Sequence, residues 1–174
     1  MATQAPNGPI HLITSMTHPS QKLEMNEAWI LSDLPDVDTA GAALTGPAIR
    51  GEQRYPRGAT RATWSARRTA NGRYLLDGTE RWFYPGGARH YQVTYRQGKK
   101  VGLERYWASD GTLVWEWERK ADGYGLWTQY WPDGGRKHRS EWRDTVCHGQ
   151  ATAWTPSGEI AGEWRFNEGD LVRP

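Results

Sequence analysis

Residues 78–102 read GTERWFYPGGARHYQVTYRQGKKVG, and the outline of this stretch recurs three more times before the chain ends. The glycines that open the four segments are spaced by 24, 23 and 24 residues: Gly78, Gly102, Gly125 and Gly149. Five residues further on, each segment has an aromatic residue: Phe83, Trp107, Tyr130 and Trp154. Nine residues further on, each has a second glycine: Gly87, Gly111, Gly134 and Gly158. A fixed period of this length is the signature of a protein built by repeating one supersecondary unit.

The second glycine of each repeat closes a predicted turn. Three of the four turns have proline two residues before this glycine, as in Tyr84-Pro85-Gly86-Gly87 and Trp131-Pro132-Asp133-Gly134. Proline presets φ at about −65° at the first corner, and glycine accepts the positive φ at the end. The pattern predicts a type I turn followed by a left-handed glycine, which is a common three-residue hairpin loop. Each repeat is therefore predicted to be one β-hairpin.

The strands that follow the turns alternate between apolar and polar side chains. In the first repeat, Tyr91, Val93 and Tyr95 are separated by Gln92 and Thr94. The second and fourth repeats keep the same alternation, and the third keeps it less cleanly. A period of two predicts strands with one apolar and one hydrated face. We therefore expect an all-β protein: an elongated antiparallel meander of consecutive hairpin repeats, each contacting mainly its neighbours.

Residues 58–174 are assigned to this hairpin-repeat domain. Its four repeats cover 78–101, 102–124, 125–148 and 149–171, and a degenerate unit over 58–77 precedes them. In that unit we predict a strand over Thr60–Arg68 around Trp64, a turn at Asn71-Gly72, and a return strand over Arg73–Leu76. Terminal repeats are usually atypical because they cap the array.

Residues 1–57 have a different character. They contain six prolines and no sustained hydrophobic period, which indicates an extended, mostly irregular arm. Leu23–Leu34 (LEMNEAWILSDL) is a candidate short helix, and it contains Trp29. A polar segment of this composition is expected to become ordered by binding a partner.

Composition excludes several classes of protein. The formal net charge is only +2, which is too small for a dedicated nucleic-acid binder. Cys147 is the only cysteine, so no intrachain disulfide forms. The N-terminus lacks the pattern of a signal peptide, and no apolar run approaches the roughly 20 residues that cross a bilayer. We therefore expect a cytoplasmic protein, either soluble or peripheral to a membrane.

The residue types that support catalysis or metal binding are scattered. The five histidines show no metal-ligand spacing. Cys147 and His148 are sequence neighbours, so on a strand they point to opposite faces and cannot act as a nucleophile and its base. Glu116 and Glu118 share the hydrated face, where we expect them to lie opposite Arg or Lys. We predict no catalytic residue, no metal and no cofactor, and thus a protein that is not an enzyme.

The repeat resembles the variant MORN repeats of the YwqK-type, antitoxin-like family of bacterial proteins, whose unit is similar to G-x-W-x-x-Y-Y-x-x-G. The closest matches are the segments Gly78–Gly102 and Gly125–Gly149, and the resemblance covers about residues 78–171. Arg119 departs from it by replacing a late aromatic, and Asp144–His148 lacks the glycine of the link between repeats. The resemblance implies an array of hairpins. Such repeats serve as scaffolds, membrane-associated platforms and antitoxins, so fold alone does not fix function.

Three functions remain open at this point. The first is a non-catalytic scaffold or accessory subunit that binds proteins in a larger assembly, with contact to a membrane surface as an option. The alternatives are a carbohydrate-binding module with exposed Trp and Tyr, and an antitoxin-type inhibitor. Aromatic and Arg side chains dominate protein interfaces. The candidate partner-binding residues are Trp29, Arg67, Arg68, Trp82, Tyr84, Tyr106, Trp127, Trp131, Arg136 and Lys137.

Overall fold

The computed structural model describes residues 43–70, 72, 74–120, 123–144 and 146–172. These residues form one open antiparallel sheet and contain no helix. The strands are β1 (Leu44–Arg54), β2 (Thr60–Thr69), β3 (Tyr74–Leu76), β4 (Gly78–Phe83), β5 (Arg89–Arg96), β6 (Lys99–Trp107), β7 (Leu113–Arg119), β8 (Tyr124–Tyr130), β9 (Arg136–Arg143), β10 (Val146–Trp154), β11 (Ile160–Asn167) and β12 (Asp170–Leu171). Their spatial order follows the chain, with β3 and β4 both paired to β2. The predicted all-β meander of hairpins is confirmed.

The sheet begins before the predicted boundary at residue 57. The sequence places Leu44–Arg54 in the irregular arm, whereas this segment is strand β1 and pairs with β2. Tyr55-Pro56-Arg57-Gly58 is the turn between them, so the boundary cuts through a hairpin and is corrected here. Gly46 and Pro47 interrupt the alternation that marks the other strands, and the ladder shifts register between Thr45 and Ile49. The candidate helix Leu23–Leu34 lies outside the described residues.

Five hairpin turns of one kind lie side by side at one end of the strands. Each ends at a glycine whose φ is +86° to +91°: Gly58, Gly87, Gly111, Gly134 and Gly158. In each turn the N–H of this glycine donates to the carbonyl three residues earlier, at 2.8–3.0 Å. Immediately after each turn the ladder shifts register by a β-bulge. This is the geometry expected of a type I turn closed by a left-handed glycine.

One face of the sheet, called the inner face from here on, carries the aromatic core. Its buried aromatic residues are Tyr91, Tyr95, Tyr106, Trp115, Trp117, Trp127, Trp142 and Phe166. Rings on neighbouring strands stand in direct register, as Tyr106 does with Trp115, and these two stack at 5.8 Å between centroids. The alternation in the sequence therefore identified the buried side of the second strand in each hairpin.

Several indole rings on the inner face lie flat over glycines. A Cβ added to Gly125 would lie 2.7 Å from Nε1 of Trp117, and one added to Gly162 would lie 2.6 Å from Cη2 of Trp164. Gly51 on β1 would meet the ring of Trp64 in the same way. Because glycine has no side chain, each ring can lie against the backbone and cover it. The sheet thus buries its inner face with its own rings, without a second layer among the described residues.

The opposite face, called the outer face from here on, is polar. One row crosses it in direct register from β4 to β11: Arg81, Gln92, Arg105, Glu116, Thr128, Arg139, Thr152 and Glu163. Within it, Nε of Arg105 lies 3.1 Å from Oε2 of Glu116, as expected for a glutamate opposite an arginine. Tyr130 also donates to Oε1 of Glu116 at 2.7 Å. Glu116 is therefore held between two strands.

The two adjacent glycines of the first repeat's turn provide a matched test of the turn chemistry. Neither Gly86 nor Gly87 has an atom within 4 Å of an added Cβ, but only Gly87 has a positive φ, +86°. We expect Gly87→Ala to lower the free energy of unfolding by about 1–2 kcal/mol through backbone strain alone. Gly86→Ala should be neutral within about 0.5 kcal/mol. Urea unfolding followed by Trp fluorescence measures both, and equal effects would contradict the assigned geometry.

Candidate interaction surface along the hairpin turns

A repeated hydrogen bond links three of the four pairs of neighbouring hairpin turns. The hydroxyl of Tyr55 donates to the carbonyl of Phe83 at 2.8 Å, and that of Tyr84 donates to the carbonyl of Trp107 at 2.8 Å. Nε1 of Trp131 donates to the carbonyl of Trp154 at 3.3 Å. Each donor is the first residue of its turn, directly before the proline at the first corner. Tyr84 and Trp131 therefore hold neighbouring hairpins together in addition to presenting their rings.

Cationic or imidazole side chains accompany these three rings. Arg61, His90 and Lys137 are inserted by the β-bulges after the same three turns, whereas the bulges after the other two turns insert Val114 and Ala161. The guanidinium of Arg61 lies 5.9 Å from the ring centroid of Tyr55 and 5.5 Å from that of Trp82. The ammonium of Lys137 lies 4.6 Å from the ring centroid of Trp131. A cation over a ring face at this distance is a favourable electrostatic contact.

The third bulge residue, His90, has a different character. Its ring lies 4.4 Å from that of Tyr84 and 5.2 Å from that of Tyr106. Burial lowers the pKa of His90, which favours the neutral imidazole. It therefore packs as a third aromatic ring among tyrosines, and the positive charge of the turn edge comes from Arg and Lys.

The outer face of the same edge shows a related arrangement. The guanidinium of Arg89 lies 5.6 Å from the ring centroid of Trp107, and that of Arg136 lies 5.8 Å from that of Trp154. In both cases the arginine belongs to one hairpin and the tryptophan to the next. Both arginines are exposed and both tryptophans are half-buried. We call this edge the turn-end band, and its members are Tyr55, Arg61, Trp82, Tyr84, Arg89, His90, Trp107, Trp131, Arg136, Lys137 and Trp154.

The turn-end band brings together Trp82, Tyr84, Trp131, Arg136 and Lys137, five of the predicted partner-binding residues. Two others, Tyr106 and Trp127, are only 5% and 6% exposed in the aromatic core, so they are not available to a partner. The prediction for these two is corrected. They stand directly opposite Trp115 and Trp117, on the inner face.

The remaining candidates lie elsewhere. Arg67 donates to the carbonyl of Gly46 from Nε at 3.2 Å and from Nη2 at 3.0 Å, which ties β1 to β2. Arg68 is exposed at the opposite edge, beside the turn at Gly72. Trp29 lies outside the described residues. None of these three joins the turn-end band in the part of the chain that the structure describes.

A buried ionic cluster occupies the inner face between the aromatic rings. Oε1 of Glu104 accepts hydrogen bonds from Lys100 at 3.1 Å and from the hydroxyl of Tyr91. Oε2 of Glu104 lies 2.7 Å from Nη2 of Arg119, whose guanidinium also lies over the ring of Trp117. The Glu104 side chain is 3% exposed. Arg119, which departs from the repeat pattern, is thus one of two cations that neutralise a buried carboxylate.

The titration of Glu104 follows from its surroundings. Burial raises its pKa, but the charges of Lys100 and Arg119 and the hydrogen bonds they and Tyr91 contribute outweigh burial, so the pKa is lowered overall. A lowered pKa in the folded state stabilises the protein above the ordinary carboxyl pKa, and this contribution is lost as the pH falls.

Cys147 and His138 are groups with catalytic potential that pack within the sheet, and Nδ1 of His138 is buried without a hydrogen-bond partner among the described residues. Cys147 is fully buried, its Sγ lies 3.4 Å from the carbonyl of Glu141, and burial raises the pKa of the thiol to about 12. His138 stacks on Trp164 at 6.2 Å, and burial lowers its pKa. No cluster of metal-binding side chains occurs among residues 43–172 where they are described. Within that same range no helix is long and apolar enough to span a membrane.

Sequence reasoning missed several members of the turn-end band. Tyr55 precedes Pro56-Arg57-Gly58, which has the same spacing of proline and glycine as Tyr84-Pro85-Gly86-Gly87, so a fifth turn was detectable. Arg61, Arg89 and the pairing of Arg136 with Trp154 depend on the bulges and on the stagger between hairpins. The ionic cluster of Glu104 had no clear sequence signal beyond the exceptional Arg119.

Comparison with known proteins finds no family model that matches the chain and no significantly similar curated protein. The resemblance to variant MORN repeats therefore stays a prediction.

Removing the Glu104 charge should be costly. We expect Glu104→Gln to lower the free energy of unfolding by about 3 kcal/mol at neutral pH, because it leaves two cations without their carboxylate. The difference from wild type should shrink as the pH falls below about 4.5, the ordinary carboxyl pKa, because the wild-type contribution is then lost. Glu118→Gln, on the exposed outer face, is the control and should change stability little. A difference that does not change with pH would contradict the cluster.

The hydrogen bonds between turns can be tested with Tyr84. Tyr84→Phe removes the donor to the carbonyl of Trp107 and keeps the ring, so we expect a loss of about 1 kcal/mol in unfolding free energy. Tyr74→Phe is the control: Tyr74 is 58% exposed, so loss of its hydroxyl should leave the free energy of unfolding unchanged. Thermal unfolding by circular dichroism compares the two. Equal stability of both variants would mean that the bond between turns contributes nothing.

Proposed function

We propose that this protein is a non-catalytic scaffold or accessory subunit that binds a protein partner through the turn-end band. The observation that carries the proposal is that half-buried tryptophan rings with cations over them recur at the turn end of the strands. Exposed Arg89 and Arg136 lie over Trp107 and Trp154, and half-buried Arg61 and Lys137 lie over Trp82 and Trp131. Trp, Tyr and Arg are the residues enriched at the energetic centres of protein interfaces.

The rigidity of this edge supports the same function. Each turn has the same backbone geometry, and hydrogen bonds from Tyr55, Tyr84 and Trp131 fix three of the turns to their neighbours. A preorganised surface loses little side-chain entropy on binding, which favours affinity. The hairpins can therefore present a fixed row of side chains to a partner.

The cations over the rings favour a protein partner over a carbohydrate. A sugar-binding platform stacks open ring faces against sugar rings, but Arg89 and Arg136 already lie over Trp107 and Trp154. Exposed guanidinium groups are suited to carboxylates and backbone carbonyls of a protein. An antitoxin-type inhibitor is a special case of the same partner class, and no described contact singles it out.

Site-specific photocrosslinking in cells tests this proposal. A photoreactive residue is placed at Arg89 or Arg136 in the full-length chain. Exposed Arg96, at the opposite end of the strands, is the control position. We expect both turn-end positions, and not the control, to crosslink to the same companion protein. Arg89→Glu and Arg136→Glu should weaken recovery of that companion about tenfold each, as for interface arginines that cost more than 1 kcal/mol.

The contradicting outcomes are equally specific. Crosslinks that are equally frequent at all three positions would argue against a dedicated edge. Native protein that migrates only as free 19.8 kDa chains or as multiples of them would show that no companion exists. Retention on an insoluble polysaccharide, with no companion, would favour the carbohydrate-binding alternative.

A further inference from the structure

The first strand of the sheet is an unusually open edge. Of its eleven residues, every one except Leu44 and Gly51 is exposed. One side of β1 pairs with β2, and no described strand pairs with the other side. The backbone N–H and C=O groups along an open edge are a template for another strand, and proteins usually block such edges with proline, bulges or charges. In β1, Pro47 and the register shifts at Thr45/Ile49 and Gln53/Arg54 limit regular pairing to the centre of the strand, Ile49–Gln53.

We propose that β1 pairs antiparallel with β1 of a second copy of this chain, about a two-fold axis at Gly51. The inference is independent of the proposed function. In that register Arg50 stands opposite the second copy's Glu52, and Glu52 stands opposite the second copy's Arg50. Both residues are exposed and both point to the outer face, because they flank Gly51 on an alternating strand. Opposite charges directly across a strand pair stabilise it.

The inner face at the same point is also suited to a two-fold contact. The ring of Trp64 lies over Gly51, so the centre of β1 is covered by an indole from β2. Strands pair at a spacing of about 4.8 Å, so the two-fold axis would bring the two Trp64 rings side by side. Ile49, which is 47% exposed, would face the second copy's Gln53 beside them.

The other edge of the sheet is shorter than β1. It ends in β12 (Asp170–Leu171), which pairs with Phe166 and Asn167 and leaves one side of β11 without a described partner over Ile160–Trp164. Pairing of β1 with this edge would repeat head to tail without closing. Pairing of β1 with itself engages the whole centre of an eleven-residue strand and closes as a dimer. When two copies of Arg50-Gly51-Glu52 pair antiparallel about Gly51, each arginine faces a glutamate of the other copy.

Charge reversal makes the register testable by sedimentation equilibrium of the full chain. Arg50→Glu leaves glutamate at both 50 and 52, and Glu52→Arg leaves arginine at both positions, so like charges face each other in either homodimer. We expect each variant to dimerise about tenfold more weakly than wild type, or worse. An equimolar mixture of the two variants should recover dimers, and so should the double variant R50E/E52R. Arg165→Glu and Glu163→Arg, exposed on β11, make the same charge changes away from β1 and should dimerise like wild type.

Several results would overturn this inference. Wild-type chain that sediments at 19.8 kDa over a wide range of concentrations would show that another segment or no strand occupies the edge. Variants that dimerise as wild type does would rule out the register at Gly51. Within its own chain Glu52 accepts a hydrogen bond from Thr60 at 2.8 Å and pairs with Arg54 at 3.0 Å. Circular dichroism of E52R is therefore required, and R50E serves alone if E52R is misfolded. The crosslinking at Arg89 and Arg136 separates this result from that of the proposed function.

Discussion

The packing of indole rings on bare backbone is the interaction on which the rest of this structure depends. A single antiparallel sheet normally needs a helix layer or a second sheet to bury its apolar face. Here Trp64, Trp117 and Trp164 lie flat over Gly51, Gly125 and Gly162, and the rings cover the face from within. Each ring therefore needs a glycine beside it, on the neighbouring strand for Trp64 and Trp117 and on the same strand for Trp164. Rings of this kind take the place that aliphatic side chains have in an ordinary core.

This mode of burial also explains the polar groups within the core. Aromatic rings cover area but leave irregular gaps between them, and in one gap Glu104 is bound by Tyr91, Lys100 and Arg119. A buried carboxylate is tolerated only when its charge is compensated and its oxygens accept hydrogen bonds. Replacement of a repeat aromatic by Arg119 on β7 is thus compensated by Glu104 on the preceding strand, β6, and neither residue is explained without the other.

The sequence predicted the features that depend on local chemistry. Proline and glycine at fixed spacing identified the turns, and alternation in strands such as Tyr91–Tyr95 identified the buried face, so the meander followed. The features that it did not predict depend on pairing between strands. The bulge after each turn shifts the alternation between the two strands of a hairpin, which placed Tyr106 and Trp127 in the core. Likewise the clearest mark of β1 is the packing of Trp64 from β2 over Gly51, which appears only once the two strands are paired. Half of the ten candidate interface residues lie together in the turn-end band, because they flank turns that proline and glycine mark in the sequence.

The open ends of the sheet have a consequence for how such a protein changes over evolutionary time. In a closed sheet the number of strands sets the diameter, so one hairpin cannot be added without altering every other one. Here β1 and β12 lie at opposite ends of the strand order, and each inner hairpin touches only its neighbours. Duplication or deletion of a 23- or 24-residue unit would lengthen or shorten the array and leave the remaining geometry intact. The length of the chain is thus free to follow the size of whatever it binds.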